Sequence, residues 1–68
     1  MDIVLNGETR SAADGGSLLE VLESIGLPVD QGGIAVALND RVIPRARWNE
    51  AMVKEADRIE VIHAVQGG

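Results

Sequence analysis

The group in this sequence best placed to do covalent chemistry is not a side chain. The chain ends in Gly67-Gly68 after an apolar stretch running from about Arg58 to Val65. An extended strand followed by two glycines leaves a slender, unbranched tail whose last group is a main-chain carboxylate, and that carboxylate is the best candidate for the reactive group. Taken alone, a Gly-Gly ending is also what an ordinary frayed terminus looks like.

The side chains offer less. No cysteine is present, which removes disulfides, thiolate zinc sites and thiol nucleophiles. His63 is the only histidine. With no Cys or second His beside it, it reads as a structural or exposed residue rather than a base or metal ligand. Trp48, the only aromatic residue, reads as a packing anchor for the segment after Pro44. Arg45 and Arg47 read as surface-solvating groups that could also meet a partner carboxylate. Gly15-Gly16 and Gly32-Gly33 lack the Lys-Ser/Thr pair or GxGxxG frame of a phosphate cradle, so they are expected to be loop glycines.

Composition sets the scale of what must hold such a tail. A chain of 68 residues is one domain, since at this size only about 60% of the unfolded surface is buried. The 46% hydrophobic content comes almost wholly from Val, Ile, Leu and Ala, a core with little room for a deep ligand pocket. Eleven acidic and six basic residues give a net charge of -5, which repels phosphate backbones and argues against nucleic acid. The first residues lack the basic flank and apolar core of a signal peptide, and the longest apolar run is Ile34 to Leu38. A soluble cytoplasmic protein without membrane association, and monomeric when free, is expected.

The elements follow in order. Ile3-Val4-Leu5 begins a strand, Asn6-Gly7 suits a type I′ turn, and Glu8 to Ala12 returns. Ser17-Leu18-Leu19-Glu20 is a capping box opening a helix, with Leu18, Val21, Leu22 and Ile25 on one stripe. Gly26 is placed to end that helix in a left-handed cap, with Leu27 folding back and Pro28 blocking continuation. Ile34, Val36 and Leu38 alternate with Ala35 and Ala37, so the large residues should meet the helix and leave a flat, uncharged opposite face. Asn39-Asp40 marks a second tight turn before the short strand Arg41-Val42-Ile43, which Pro44 ends. Arg45 to about Lys54 holds at most a helical turn or two.

The last strand, from Asp57 to Val65, should turn Ile59 and Val61 inward, and Glu60, Ile62 and Ala64 outward. Its length suits a central position, paired on both sides and parallel to the first strand through a crossover containing the helix. The expected fold is α+β: a β-grasp, one mixed sheet packed on one main helix. Residues 1–64 would form the domain, and residues 65–68 a flexible tail. If the last strand lies beside the third, Ile62, Ala64, Ala35 and Ala37 share one side of the sheet as a partner-docking patch.

These segments resemble the ThiS family, the small ubiquitin-like sulfur carriers of thiamin biosynthesis. The resemblance spans essentially the whole chain. It is carried by Asn6-Gly7, Ala35-Val36-Ala37-Leu38-Asn39, Val42-Ile43-Pro44-Arg45 with Trp48, Asp57-Arg58-Ile59-Glu60-Val61-Ile62-His63-Ala64-Val65, and Gly67-Gly68. One departure is Ala56, where members of the family usually have Gly.

The resemblance implies a carrier rather than an enzyme. Gly68 would be adenylated by an ATP- and magnesium-using activating enzyme and converted to a thiocarboxylate, whose sulfur thiazole synthase takes for the thiazole ring. The carrier itself would bind no cofactor or metal. Its partners would be the adenylating enzyme, thiazole synthase and a sulfur donor system. Glycine at 67 and 68 suits a narrow channel because it has no Cβ to meet the walls, and Val65 and Gln66 would continue the extended approach. The alternatives are a molybdopterin synthase small subunit, which shares the Gly-Gly ending, and a non-covalent β-grasp interaction module.

Overall fold

The computed structural model describes residues 1–14, 16–30 and 32–63. The tail expected at 65–68, with Ala64, lies outside the described residues. Strand β1 (Asp2–Leu5) and β2 (Glu8–Ser11) form an antiparallel hairpin. Asn6 and Gly7 both have positive φ, 48° and 84°, as a type I′ turn requires. Helix α1 (Leu18–Ser24) follows, then β3 (Ile34–Leu38), β4 (Arg41–Ile43), a 3₁₀ turn at Arg45–Arg47, and β5 (Arg58–His63). Asn39 and Asp40, at φ 50° and 69°, make the second tight turn.

The sheet order is β2-β1-β5-β3-β4. β5 therefore enters the middle, parallel to β1 and antiparallel to β3. This is the β-grasp expected from the sequence. The helix covers the inner face of the sheet, where Ile3, Val36, Ile59 and Val61 meet Leu18, Val21 and Leu22 in one buried cluster. Ile34, Leu38 and Leu5 pack around it.

Seven residues are too few for a helix to persist alone, so its ends must be satisfied from elsewhere. The Glu20 amide donates to Ser17 Oγ at 3.2 Å and the Ser17 amide to Glu20 Oε1 at 3.3 Å, completing the capping box. The other first-turn amides are met by the irregular segment after β4: Leu18 donates to the Ala51 carbonyl at 2.7 Å and Leu19 to that of Trp48 at 2.8 Å. At the far end, Leu27 N–H reaches the Leu22 carbonyl at 3.1 Å and Gly26 N–H that of Glu23 at 3.0 Å. This is the Schellman pattern, and Gly26 supplies its left-handed residue at φ 82°.

Trp48 is the anchor of residues 45–53. The residue is 2% exposed, and its Nε1–H donates to the Ile43 carbonyl at 2.8 Å, giving the indole a polar partner. Arg45 does more than solvate the surface, the role expected for it. Its guanidinium lies 4.4 Å from the centroid of the Trp48 ring and also donates to the Val29 carbonyl, tying the loop after α1 to the segment after β4.

Two asparagines hold β5 on its flanks. Where β1 turns away, the Asn6 side chain replaces the missing strand: the Val61 amide donates to Asn6 Oδ1 at 2.8 Å and Asn6 Nδ2 donates to the Val61 carbonyl at 3.4 Å. On the β3 side, the Arg58 amide donates to Asn39 Oδ1 at 2.9 Å, and Asn39 Nδ2 donates to Asp57 Oδ1 at 3.1 Å. Asp57, expected within the last strand, instead caps the turn before it by accepting from the Lys54 amide at 2.8 Å. In that turn Ala56 has φ 69°, a left-handed conformation that costs an L-residue about 1–2 kcal/mol.

Two substitutions test these constraints. Asn6→Gly keeps a turn that tolerates positive φ and removes only the side-chain bonds to Val61. Stability should fall by about 1–2 kcal/mol, and hydrogen exchange should show lost protection at the Val61 amide. Ala56→Gly relieves the left-handed strain and should raise stability by roughly 0.5–1 kcal/mol, seen as a thermal midpoint higher by about 2–6 °C.

Candidate functional site

β5 carries the candidate site, because its inner residues are committed to the core and its outer residues are not. Ile59 and Val61 are buried while Glu60, Ile62 and His63 are exposed. The antiparallel register with β3 sets Ala35 directly opposite Ile62 and Ala37 opposite Glu60. The outer face thus brings together Ile62, Ala35 and Ala37 of the expected patch. Ile62 is 58% exposed, Ala35 is exposed and Ala37 half-buried. Ala64 lies outside the described residues, as do Val65, Gln66, Gly67 and Gly68.

The face is flat, as alternation in β3 implies, but not uncharged: Glu60 stands on it beside Ala37. It is also wider than the sequence reading allowed. β3 pairs with β4 so that Ala37 faces Val42, and Val42 is 69% exposed. That neighbour was within reach of the sequence. A two-residue turn at Asn39-Asp40 pairs Leu38 with Arg41, and one more step pairs Ala37 with Val42.

His63 is exposed at the end of β5, opposite Ile34. Among the described residues, no group of three or more His, Cys, Asp or Glu is arranged to hold a metal ion, and no helix is long and apolar enough to cross a membrane. The Met1 ammonium and Asp14 carboxylate form a hydrogen bond that raises the pKa of the first and lowers that of the second, in the turn region after β2 and apart from β5. What the site offers is a surface. It has an apolar floor across β5, β3 and β4, next to the strand that leads toward Gly68.

Comparison with known proteins places this geometry. The sulfur carrier protein ThiS of Escherichia coli K12 is 32% identical over 68 residues, covering all of both chains. A protein named thiazole synthase from Magnetococcus marinus is 35% identical over 68 residues; the whole of this chain matches, but only 20% of that protein. Among solved structures, the crystal structure of a thiamine biosynthesis protein (ThiS) from Geobacter metallireducens superposes with a TM-score of 0.83 over all of both chains at 24% identity, a likeness of fold. The ThiS family model matches residues 3–68, from the first core residue of β1 through both terminal glycines, and the chain belongs to the ThiS family.

Proposed function

We propose that this protein is a sulfur carrier for thiamin biosynthesis and that Gly68 bears the sulfur as a thiocarboxylate. The observation that carries this reading is the match of the family model through residue 68, so that the tail and the sheet beneath it belong to one pattern. The end-to-end likeness to the E. coli carrier supports it.

The chemistry asks little of the carrier's side chains. A carboxylate is a poor acyl donor because its oxygen leaves badly. Attack of the Gly68 carboxylate on the α-phosphorus of ATP forms an acyl-adenylate and releases pyrophosphate. A sulfide-level sulfur nucleophile then adds to the carbonyl carbon, and AMP departs with the former carboxylate oxygen. The product is a thiocarboxylate, and no oxidant or reductant is consumed. ATP, magnesium and the sulfur donor belong to an E1-like adenylating partner. The thiocarboxylate sulfur then passes to thiazole synthase.

Each feature of this chain serves delivery. Gly67 and Gly68 present no Cβ to a channel wall, Val65 and Gln66 continue the approach, and the lack of cysteine leaves no internal thiol to capture the activated carbonyl. Ile62, Ala64, Ala35 and Ala37 serve as the docking patch.

Intact-mass measurement after incubation with the activating enzyme, ATP, magnesium and a sulfide donor should show the gain of one sulfur in place of one oxygen, localised to Gly68. One residue added after Gly68 should abolish that gain. An extended protein that still becomes thiocarboxylated would overturn the proposal.

A further inference from the structure

Among the described residues, Val61 is the last of β5 to reach the core: it is buried, while Ile62 and His63 beyond it are exposed. Its main-chain groups on the β1 flank have no strand beside them, because pairing with β1 ends at Leu5 with Ile59 and the chain then turns at Asn6 and Gly7. An amide and a carbonyl left open at a buried residue are costly. The Asn6 side chain meets both, accepting from the Val61 amide at 2.8 Å through Oδ1 and donating to the Val61 carbonyl at 3.4 Å through Nδ2. One primary amide thus does here what a strand residue would do.

The turn alone does not call for this residue. At φ 48° position 6 needs a residue that tolerates the left-handed region, and glycine does so at no steric cost. The amide is what glycine would lack, and it is used on a residue 55 positions away. The opposite flank is already held, since β3 pairs with β5 from Ile59 to His63. What Asn6 adds is a second anchor, which stops the end of β5 from pivoting about a one-sided ladder.

We infer that Asn6 is a positioning residue for the reaction at Gly68, acting through Val61. The inference rests on the carrier reading above and adds to it a residue from the other end of the chain. In the adenylation step a Gly68 carboxylate oxygen bonds to the α-phosphorus of ATP as pyrophosphate leaves, so the rate depends on how often that oxygen stands in line with the phosphorus. With Val61 held on both flanks, the residues after it start from one point and one direction. With the β1 flank open, a docked carrier starts them from a range of directions, and fewer approaches are productive. The patch residues Ala35, Ala37 and Ile62 keep their β3–β5 register in either case. The effect therefore belongs in the chemical step and not in affinity.

The test is single-turnover pyrophosphate release from the full chain with ATP, magnesium and the activating enzyme in excess, its concentration varied, well below the unfolding temperature of every variant. Asn6→Gly should lower the rate constant at saturation by about threefold or more, while the half-saturating enzyme concentration stays within about twofold of wild type. The control is Asn39→Gly, which removes the corresponding side-chain bond to the Arg58 amide at the start of β5, in a second turn of positive φ. It should react like the wild type. Hydrogen exchange should show the Val61 amide losing protection in the Asn6 variant alone, and a Val61 amide that stays protected there overturns the inference. So does a wild-type rate constant in that variant, or a loss expressed wholly in affinity. Equal slowing by Asn39→Gly also overturns it, by assigning the effect to a general loss of stability. A wild-type chain that releases no pyrophosphate strikes the carrier reading, and this inference with it.

Discussion

Every other element depends on β5 being paired on both flanks. The strand comes last in sequence and lies at the centre in space, so the slot it fills must be built from segments far upstream. β1 supplies one wall, in parallel pairing that a tight turn cannot make. β3 supplies the other. The described pairing with β1 covers only Val4 with Arg58 and Leu5 with Ile59. The Asn6 side chain extends that wall to Val61 with a pair of hydrogen bonds, so the strand stays held one step further along its length.

The same constraint explains the division of the sheet into two faces. The inner residues of β5, β3 and β1 are used up in covering α1, and a domain of this size has no second core to spare. The outward residues Ala35, Ala37, Val42 and Ile62 take no part in that core. Alanine is a weak strand former, and β3 carries two of them outward while Ile34, Val36 and Leu38 supply the packing. A local choice that weakens the strand yet keeps its outer face low is the kind of inconsistency expected where a surface is shaped for contact.

What could be read from the sequence was whatever a local pattern encodes. Alternation gave the strands and their faces, Asn6-Gly7 and Asn39-Asp40 the turns, and Ser17 with Glu20 the start of α1. The central place of β5 followed from the length of its apolar run. Residues 45–56 were opaque for a physical reason: their structure is fixed by partners distant in sequence, such as the Leu18 and Leu19 amides held by Ala51 and Trp48, and by the stacking of Arg45 on Trp48. The role of the Asn6 side chain was hidden in the same way, since it is exercised on Val61, 55 residues later. Val42 was different, for it needed only register counting across a turn already recognised.

The candidate site divides along the same line. Its surface residues were legible because alternation assigns a face to each strand residue, and the register with β3 then brings Ile62 and Ala35 together. The reactive group proposed for it, a main-chain carboxylate, is read from the sequence without any fold. Between these two lies the hold on β5, built in part from hydrogen bonds contributed by turn residues. Asn6 and Asn39 each make a tight turn possible through positive φ, and each also uses its amide to bind the strand beside it. A glycine would satisfy the first demand and fail the second, which is why a residue that tolerates left-handed geometry with a short polar side chain suits both corners of the sheet that flank its last strand.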